Sequence, residues 1–213
     1  MPITLDANIA WPQKGAKLFT SDGPPHDFSM IGWGDGGDAS HQYVLYTDGY
    51  KTAADELVQR LLASETVGRR DTHIFPILFL YRQFIELELK WIFLVYSDAD
   101  ASAKKKLIRG ERAHDLINLW EKAKPIVLES ATLQEDVAIV EDYIMQFNEL
   151  DKSSSSFRYP INKNLEQILD NQRRINLPNL RQRMDELYHF FSGLDVMLSN
   201  IRDYKQDMEE YLP

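Results

Sequence analysis

The stretch IFPILFLYRQFIELELKWIFLVY, residues 74–96, decides the fold class of this chain. Apolar side chains recur along it at helical spacing in two neighbouring stripes, so a helix here is apolar around almost its whole circumference. Such a helix is stable in water only when other elements cover it. We therefore predict a buried central helix over residues 74–96, capped by Asp71 or Thr72 and with Pro76 in its first turn.

Three charged residues on this segment, Arg82, Glu86 and Lys90, are spaced four apart and share one side of the helix. Each charge would cost about 2.5–3.5 kcal/mol at the centre of a membrane-spanning helix, so we expect a protein core and no membrane partner. Because buried charges need partners, Arg158 in the FRYP stretch is the predicted partner of Glu86. The group is either an ion-pair network that fixes how this loop docks or a charged pocket for an anionic substrate.

Shorter apolar patterns predict the other helices. One starts near Asp48, one starts near Ala113 and is ended or kinked by Pro125, one covers residues 133–150, and one starts near Pro178. Apolar residues at 4-3 spacing in the last helix form either a seam inside the bundle or, in part, a dimer seam. Residues 97–112 are predicted as a polar connection, and residues 157–177 as an extended or hairpin insertion.

The predicted fold is all-α. Helices joined by modest loops pack as antiparallel neighbours, which gives an up-and-down bundle of four to five helices over residues 46–213. Residues 1–45 are rich in Gly, Pro and Asp and are predicted as an extension packed on the bundle. Within it, residues 28–33 and 42–46 are candidate strands of a small hairpin around the turn-forming residues 34–38.

Composition narrows the classes of function. The chain lacks cysteine, which excludes disulfides, thiol catalysis and cysteine-ligated zinc. The net charge of −9 argues against a protein that coats nucleic acid. The first residues do not have the basic-then-apolar pattern of a signal peptide, so a cytoplasmic location is expected. The histidines lack ligand-like spacing with one another or with paired carboxylates, and we predict neither a metal nor a cofactor.

His114 and Asp115 are the candidate residues for proton chemistry and helix capping. Histidine exchanges protons near neutral pH, and Asp115 in a first helical turn would meet free backbone amides. The basic run from Lys104 to Arg112 precedes them. It is either a solvated loop or a surface that steers RNA phosphates toward His114. His114 itself is either a proton-transfer group or a structural residue at the junction of loop and helix.

Several stretches carry a family resemblance: FPI at 75–77, LYR at 80–82, ELELK at 86–90, HDL at 114–116, LW at 119–120 and FRYP at 157–160. In these the chain resembles a group of bacterial HEPN-like helical proteins, over about residues 45–205. The resemblance implies a helix bundle, often dimeric, of the kind found in toxin–antitoxin, CRISPR and phage-defence systems. It also implies, as in many members, a metal-independent ribonuclease.

The mark of that family is an Arg and a His with four to six residues between them, presented at a dimer cleft, where they help a ribose 2′-hydroxyl attack the adjacent phosphate. Arg109 and His114 match this spacing, although Gly110 stands where a polar residue often follows the Arg. Arg183 and His189 also match, but on the flanks of the apolar stripe of the last helix. The resemblance thus implies Arg109 and His114 as catalytic residues. The supporting residues of the cleft are then Arg82, Glu86, Lys90, Asp115 and Arg158.

Two functions stay open on the sequence. In one, the chain is a metal-independent endoribonuclease of a bacterial stress or phage-defence system that acts on RNA as a homodimer. In the other, it is a non-catalytic interaction, sensor or antitoxin-like module that binds a protein of the same system, and its polar residues are structural. The first function requires the side chains of Arg109 and His114 to be exposed together in a cleft.

Overall fold

The computed structural model describes residues 10, 12–31, 39–64, 66, 68–130, 134–151, 154, 156–161, 164–169 and 174–211. Within them the regular structure is α-helical, apart from a short 3-10 turn at Pro25–Asp27 and an isolated antiparallel bridge. The helices are α1 (Ala39–Leu62), α2 (Gly68–Tyr96), α3 (Ala101–Arg109), α4 (Leu116–Val127), α5 (Gln134–Leu150) and α6 (Leu177–Tyr211). The prediction of an all-α bundle is confirmed.

The chain divides into two units, residues 1–35 and 36–213. In the first unit every described residue is exposed, and the 3-10 turn is its regular structure. All of the described α-helices belong to the second unit. None of them is apolar over a long enough stretch to cross a membrane.

Helix α2 is the central helix, as predicted from its apolar circumference. It packs against α1, α3, α4 and α6, while α4 also packs against α5 and α1 against α6. Tyr81, Phe84, Ile85 and Leu89 on α2 are completely buried. Burying an apolar side chain of this size contributes about 1.5–3 kcal/mol, so the neighbours of α2 hold it in place more firmly than its own helix propensity does.

Helix α2 begins six residues earlier than the apolar pattern predicts, at Gly68 rather than near Ile74. Pro76 therefore lies inside the helix and not in its first turn, and Asp71 lies within the first turn instead of capping it. Proline removes one backbone hydrogen bond from the helix. The buried residues from Ile77 onward keep the helix on the core despite this loss.

Helix α1 also begins earlier than predicted, at Ala39 rather than near Asp48. The candidate strand at residues 42–46 is therefore helical, and the hairpin is not formed with it. Tyr43 and Thr47 are one helical turn apart on the same side of α1. Tyr43 is partly buried and Thr47 is buried, and the centroid of the Tyr43 ring lies 5.6 Å from that of the Trp91 ring. This packing favours a helix over a strand. The predicted turn at residues 34–38 lies outside the described residues.

Residues 97–112, which were predicted as a polar connection, contain the helix α3. Asp100 caps α3 by accepting a hydrogen bond from the Ala103 amide at 2.7 Å, and Leu107 is buried against α2. A capping Asp followed by a short segment with two adjacent large apolar residues, Leu107 and Ile108, is a weak signal for a helix. The basic residues therefore suggested a polar connection.

The remaining boundaries agree closely with the sequence. Helix α4 is capped by Asp115 and continues past Pro125 to Val127, so the proline comes just before the end of the helix. Helices α5 and α6 begin within one residue of their predicted starts. The predicted extended insertion at residues 157–177 contains an antiparallel bridge between Ile161 and Gln167, and the described part of it has no longer strand.

Candidate functional site

Glu86 is the centre of a buried charged cluster where α2 meets the entrance to α4. Its side chain is 2% exposed. Its Oε2 accepts a hydrogen bond from Arg82 Nη1 at 2.8 Å, and its Oε1 accepts one from Lys90 Nζ at 2.7 Å. His114 Nδ1 lies 2.7 Å from the same Oε1. The three charged residues spaced along α2 thus form one connected network, and His114 joins it from another element.

Arg82 connects this network to two further segments of the chain. Its Nη2 donates to the backbone carbonyl of His114. Its Nε lies 3.1 Å from Asp151 Oδ2 in an ion pair, and both side chains are 1% exposed. Asp151 directly follows α5, and its Oδ1 accepts a hydrogen bond from the Ser156 amide at 3.1 Å. Arg82 therefore holds the segment before α4 and the segment after α5 in fixed positions beside α2.

The predicted pairing of Arg158 with Glu86 is wrong. Arg158 is exposed, and its Nε and Nη2 donate to the Ser154 carbonyl at 3.0 and 2.7 Å. The charge balance gives the reason. Arg82 and Lys90 already face Glu86 as two cations, so the loop supplies the carboxylate of Asp151, not a third cation. A buried cluster with matched charges avoids the large desolvation cost of an unpaired ion.

His114 presents one ring nitrogen to Glu86 while 59% of its side chain is exposed. Burial by itself would raise the pKa of the Glu86 carboxyl, but the Lys90 ammonium and His114 lower that pKa below its ordinary value. An ionised carboxylate at Nδ1 favours the tautomer with the proton on Nδ1, which leaves the lone pair on Nε2. Within the described residues Nε2 has no hydrogen-bond partner, so it is available to a substrate.

The turn before α4 fixes the backbone on which His114 lies. Asp115 Oδ1 accepts from the Asn118 amide at 3.0 Å, and Arg112 Nε donates to Asp115 Oδ2 at 3.0 Å. Burial raises the pKa of Asp115, whereas the hydrogen bonds from Asn118 and Arg112 lower it, and the net direction is down. Asp115 is therefore an ionised cap. Asp115 thus caps α4 from the residue before it, one step earlier than its predicted place in the first turn, and it meets the free backbone amides as expected.

Gly110 is required by the close approach of the turn to α3. A Cβ atom at this position would lie 2.5 Å from the backbone carbonyl oxygen of Lys106. That distance is far below van der Waals contact, and the obstructing atom belongs to the backbone. Glycine therefore stands after Arg109, where HEPN-like proteins often have a polar residue, because a side chain would not fit there.

Arg109 lies at the end of α3 and is exposed, as is His114. Within the described part of the chain, no hydrogen bond or ion pair connects Arg109 to His114 or to Glu86. The neighbouring basic residues Lys105, Lys106 and Arg112 are exposed as well. The chain thus carries exposed cations within ten residues before an oriented imidazole, and one of them, Arg112, is paired with Asp115. The two predicted catalytic residues are not in direct contact with each other.

The second Arg–His match is arranged differently. Arg183 forms an ion pair with Glu186 at 2.8 Å and donates to the Tyr143 hydroxyl at 3.2 Å. His189 is exposed, and its ring packs edge-on against Tyr188. In the described residues no carboxylate holds the His189 ring, so this pair lacks the feature that distinguishes His114.

A second buried polar group, which was not predicted from the sequence, connects α1, α2 and α6. Lys51 Nζ donates to Asp55 Oδ2 at 2.6 Å and also to Asp185 Oδ1 on α6. The Tyr81 hydroxyl donates to Asp55 Oδ1 at 2.6 Å. Lys51 and Asp55 are four residues apart on α1, which was the available signal. Because its cation and its buried carboxylate are paired with each other, this group has a structural role.

Comparison of the chain with protein-family models, with curated proteins and with solved structures found no match in any of the three. Among the described residues, no three side chains of metal-binding type lie close enough together to hold an ion. The site thus consists of an exposed imidazole and the buried carboxylate that holds it, and exposed basic residues precede the imidazole in the sequence.

Proposed function

We propose that this protein is a metal-independent endoribonuclease in which His114 transfers protons. The observation that carries the proposal is the 2.7 Å contact between His114 Nδ1 and the buried Glu86 carboxylate, combined with the exposure of the imidazole. A carboxylate behind a histidine orients the ring and stabilises its protonated form, which is the arrangement of a general base. The resemblance to HEPN-like proteins, which rests on some of the same residues, supports the same chemistry.

In the proposed reaction, His114 Nε2 takes the proton from a ribose 2′-hydroxyl. The 2′-oxygen attacks the adjacent phosphorus, and the bond from phosphorus to the 5′-oxygen breaks. The leaving 5′-oxygen takes the proton that the His114 imidazolium now carries, so the products are a 2′,3′-cyclic phosphate and a 5′-hydroxyl and the neutral imidazole is restored. Arg109 and the exposed cations of α3 would neutralise the phosphate as charge develops on it. Glu86 does not touch the substrate and acts as a positioning residue.

The wider setting of the proposal comes from the resemblance. We propose a homodimer in which two copies of the site face one cleft, within a bacterial stress or phage-defence system. A dimer would place the cationic residues of a second copy near the substrate, which suits a chain where Arg109 is not bonded to His114. Sedimentation measurements at micromolar concentration would test the dimer directly.

The test is cleavage of a single-stranded RNA by the purified protein in EDTA. We expect the native protein to cleave and His114→Ala to lose about 100-fold or more of the rate, since general acid–base catalysis contributes about 10²–10⁴-fold. Glu86→Gln should keep an intermediate rate if the variant folds. A 2′-deoxy substitution at the cleaved position should block the reaction, because the attacking oxygen is missing.

His189→Ala is the matched control, because His189 is an exposed histidine that also follows an Arg at the family spacing. It should cleave at the native rate. The assignment of His114 would be contradicted if both histidine variants lost cleavage rate equally. It would also be contradicted if the native protein cleaved RNA no faster than the two variants. Circular dichroism must show that each variant keeps the helical content of the native protein.

The second candidate function is the non-catalytic interaction module. It is favoured by one observation: Glu86, Arg82 and Lys90 already satisfy one another, so the cluster is complete without any substrate. This function predicts no RNA cleavage by native protein, together with a loss of stability when Glu86 is replaced. The two functions thus differ in the cleavage assay and agree in the unfolding assay.

A further inference from the structure

A pocket of about 190 Å³ lies among α1, α2 and α6, and none of its lining residues belongs to the His114 site. Aromatic side chains form much of its wall, among them Tyr43, Trp91 and Tyr188. The rings of Tyr43 and Trp91 lie 5.6 Å apart and are tilted by 33°. The faces of such rings attract a cation that lies against them, most strongly for Trp and when water is excluded.

The polar part of the same pocket is acidic. Asp48, Glu88 and Asp195 line it, and no Lys, Arg or His is among its described lining residues. Asp195 is held firmly, because its Oδ1 accepts hydrogen bonds from Trp91 Nε1 at 2.9 Å and from the Tyr96 hydroxyl at 2.6 Å. Within the described residues its Oδ2 has no hydrogen-bond partner, so one carboxylate oxygen is left for a ligand.

Glu88 is a carboxyl group whose surroundings oppose its ionisation. Burial raises its pKa to about 7, the nearby Asp195 carboxylate adds to the rise, and a hydrogen bond with Thr47 opposes it. A cation in the pocket would relieve this repulsion and favour the ionised form of Glu88. The pocket thus combines aromatic rings with acidic side chains. Lys51 Nζ lies 5.1 Å from the centroid of the Tyr188 ring, but it is already paired with Asp55 and Asp185.

We propose that this pocket binds a small organic ammonium ion. The rings of Tyr43 and Trp91 would lie on one side of its cationic group, and the carboxylates of Glu88 and Asp195 on the other. An organic cation fits better than a metal ion. Its alkyl groups pack on aromatic rings, and the acidic side chains do not converge closely enough to form a metal cluster within the described residues. The proposal rests on other residues than the ribonuclease proposal, and neither depends on the other.

Isothermal titration calorimetry with the full chain would test the proposal, with choline as the probe and 3,3-dimethyl-1-butanol as its uncharged analogue of the same shape. We expect choline to bind at least about tenfold more tightly than the analogue, since a desolvated cation on an aromatic face is favoured by that order. Equal binding of the two compounds would overturn the proposal, because the pocket would then recognise apolar shape alone. Absence of binding by either would overturn it as well.

The pH dependence of choline affinity follows from Glu88. The ionised form binds the cation, so affinity should rise by about tenfold between pH 6 and pH 8 as a group with a pKa of about 7 loses its proton. The other groups facing Glu88 in the pocket are Asp48 and Tyr43 from α1 and Asp195 and Tyr188 from α6. Glu88→Gln should bind choline weakly at pH 8 and show little of this rise.

Two further variants complete the experiment. Trp91→Leu should weaken choline binding while Glu121→Gln, which removes a negative charge from an exposed position on α4, should not. Each variant is compared with native protein by its urea unfolding midpoint, so that loss of fold is recognised. Native affinity in a folded Glu88→Gln variant at pH 8 would overturn the proposal. So would displacement of choline by equimolar Mg²⁺ at constant ionic strength, which would indicate a metal site.

Discussion

Matched charge is the feature that makes the buried residues around Glu86 tolerable. Arg82 and Lys90 contribute two positive charges, and Glu86 and Asp151 contribute two negative charges. A buried ion pair of this kind adds little net stability compared with apolar side chains, but removal of one partner leaves an uncompensated charge. The cluster therefore specifies how α2, α4 and α5 meet, and each member depends on the others.

Replacement of Glu86 should expose this dependence. We expect Glu86→Ala to lower the free energy of unfolding by about 3–5 kcal/mol at pH 7, because Arg82 and Lys90 then remain buried without their carboxylate. Urea unfolding followed by circular dichroism measures it. The matched control is Glu121→Ala on the exposed face of α4, which should change the value by no more than about 0.5 kcal/mol. Similar small losses in both variants would show that the cluster does not carry this energy.

The same residue gives a pH dependence with a defined sign. The pKa of Glu86 is lower in the folded protein than its ordinary value. Its stabilising contribution is therefore complete above the unfolded-state pKa of about 4.3 and is lost as the pH falls through the folded-state pKa. Native protein should lose stability below about pH 4.3 more steeply than Glu86→Gln does. A parallel decline of the two proteins would contradict the lowered pKa.

At the scale of elements, capping decides where the short helices begin. Asp100 and Asp115 each accept a hydrogen bond from an amide in the first turn of the following helix, α3 and α4 respectively. The turn between these helices is compact enough to require Gly110. The position of His114 is thus set by a cap on one side and a close backbone approach on the other.

Substitution of the α4 cap should separate its two interactions. Asp115→Ala removes the hydrogen bond to the Asn118 amide and should lower the free energy of unfolding by about 0.5–2 kcal/mol. Asp115→Asn keeps a side-chain acceptor and loses only the ion pair with the exposed Arg112, so its loss of unfolding free energy should stay within about 1 kcal/mol. Thermal and urea unfolding of both variants would measure the difference. A loss in Asp115→Asn as large as in Asp115→Ala would assign the energy to the ion pair instead.

At the scale of the whole molecule, the hydrophobic core belongs to residues 36–213. The buried apolar residues run from Ala54 to Leu198, and every described residue before position 36 is exposed. A stretch without buried side chains contributes little to the stability of a core. The structure thus assigns fold stability to the second unit.

Truncation tests that assignment. A chain that starts at residue 36 should keep its free energy of unfolding within about 1 kcal/mol of the full chain, because no described core residue is removed. A chain that starts at residue 50 is the control, since it loses Tyr43, which packs on Trp91, and the buried Thr47. It should unfold at a clearly lower urea concentration. A large loss already in the first truncation would show that residues 1–35 stabilise the bundle.

The local periodicity of the sequence was sufficient to predict the all-α class, the central helix and the shared side of Arg82, Glu86 and Lys90. Helical spacing depends only on the geometry of the backbone, so apolar and charged sides can be recognised without knowledge of their neighbours. The predicted starts of α5 and α6 agree with the structure for the same reason. The early start of α1 was missed because its first turns lack a continuous apolar stripe.

Which residues meet across helices was decided by the tertiary structure alone. His114 reaches Glu86 from 28 residues away, Asp151 instead of Arg158 balances Arg82, and Glu88 shares a pocket with Asp195. Such contacts depend on how far each helix is rotated about its axis and on where it crosses α2. The spacing of apolar and charged residues along one sequence does not give either quantity. The sequence thus determined the faces of the helices, and packing determined their chemical partners.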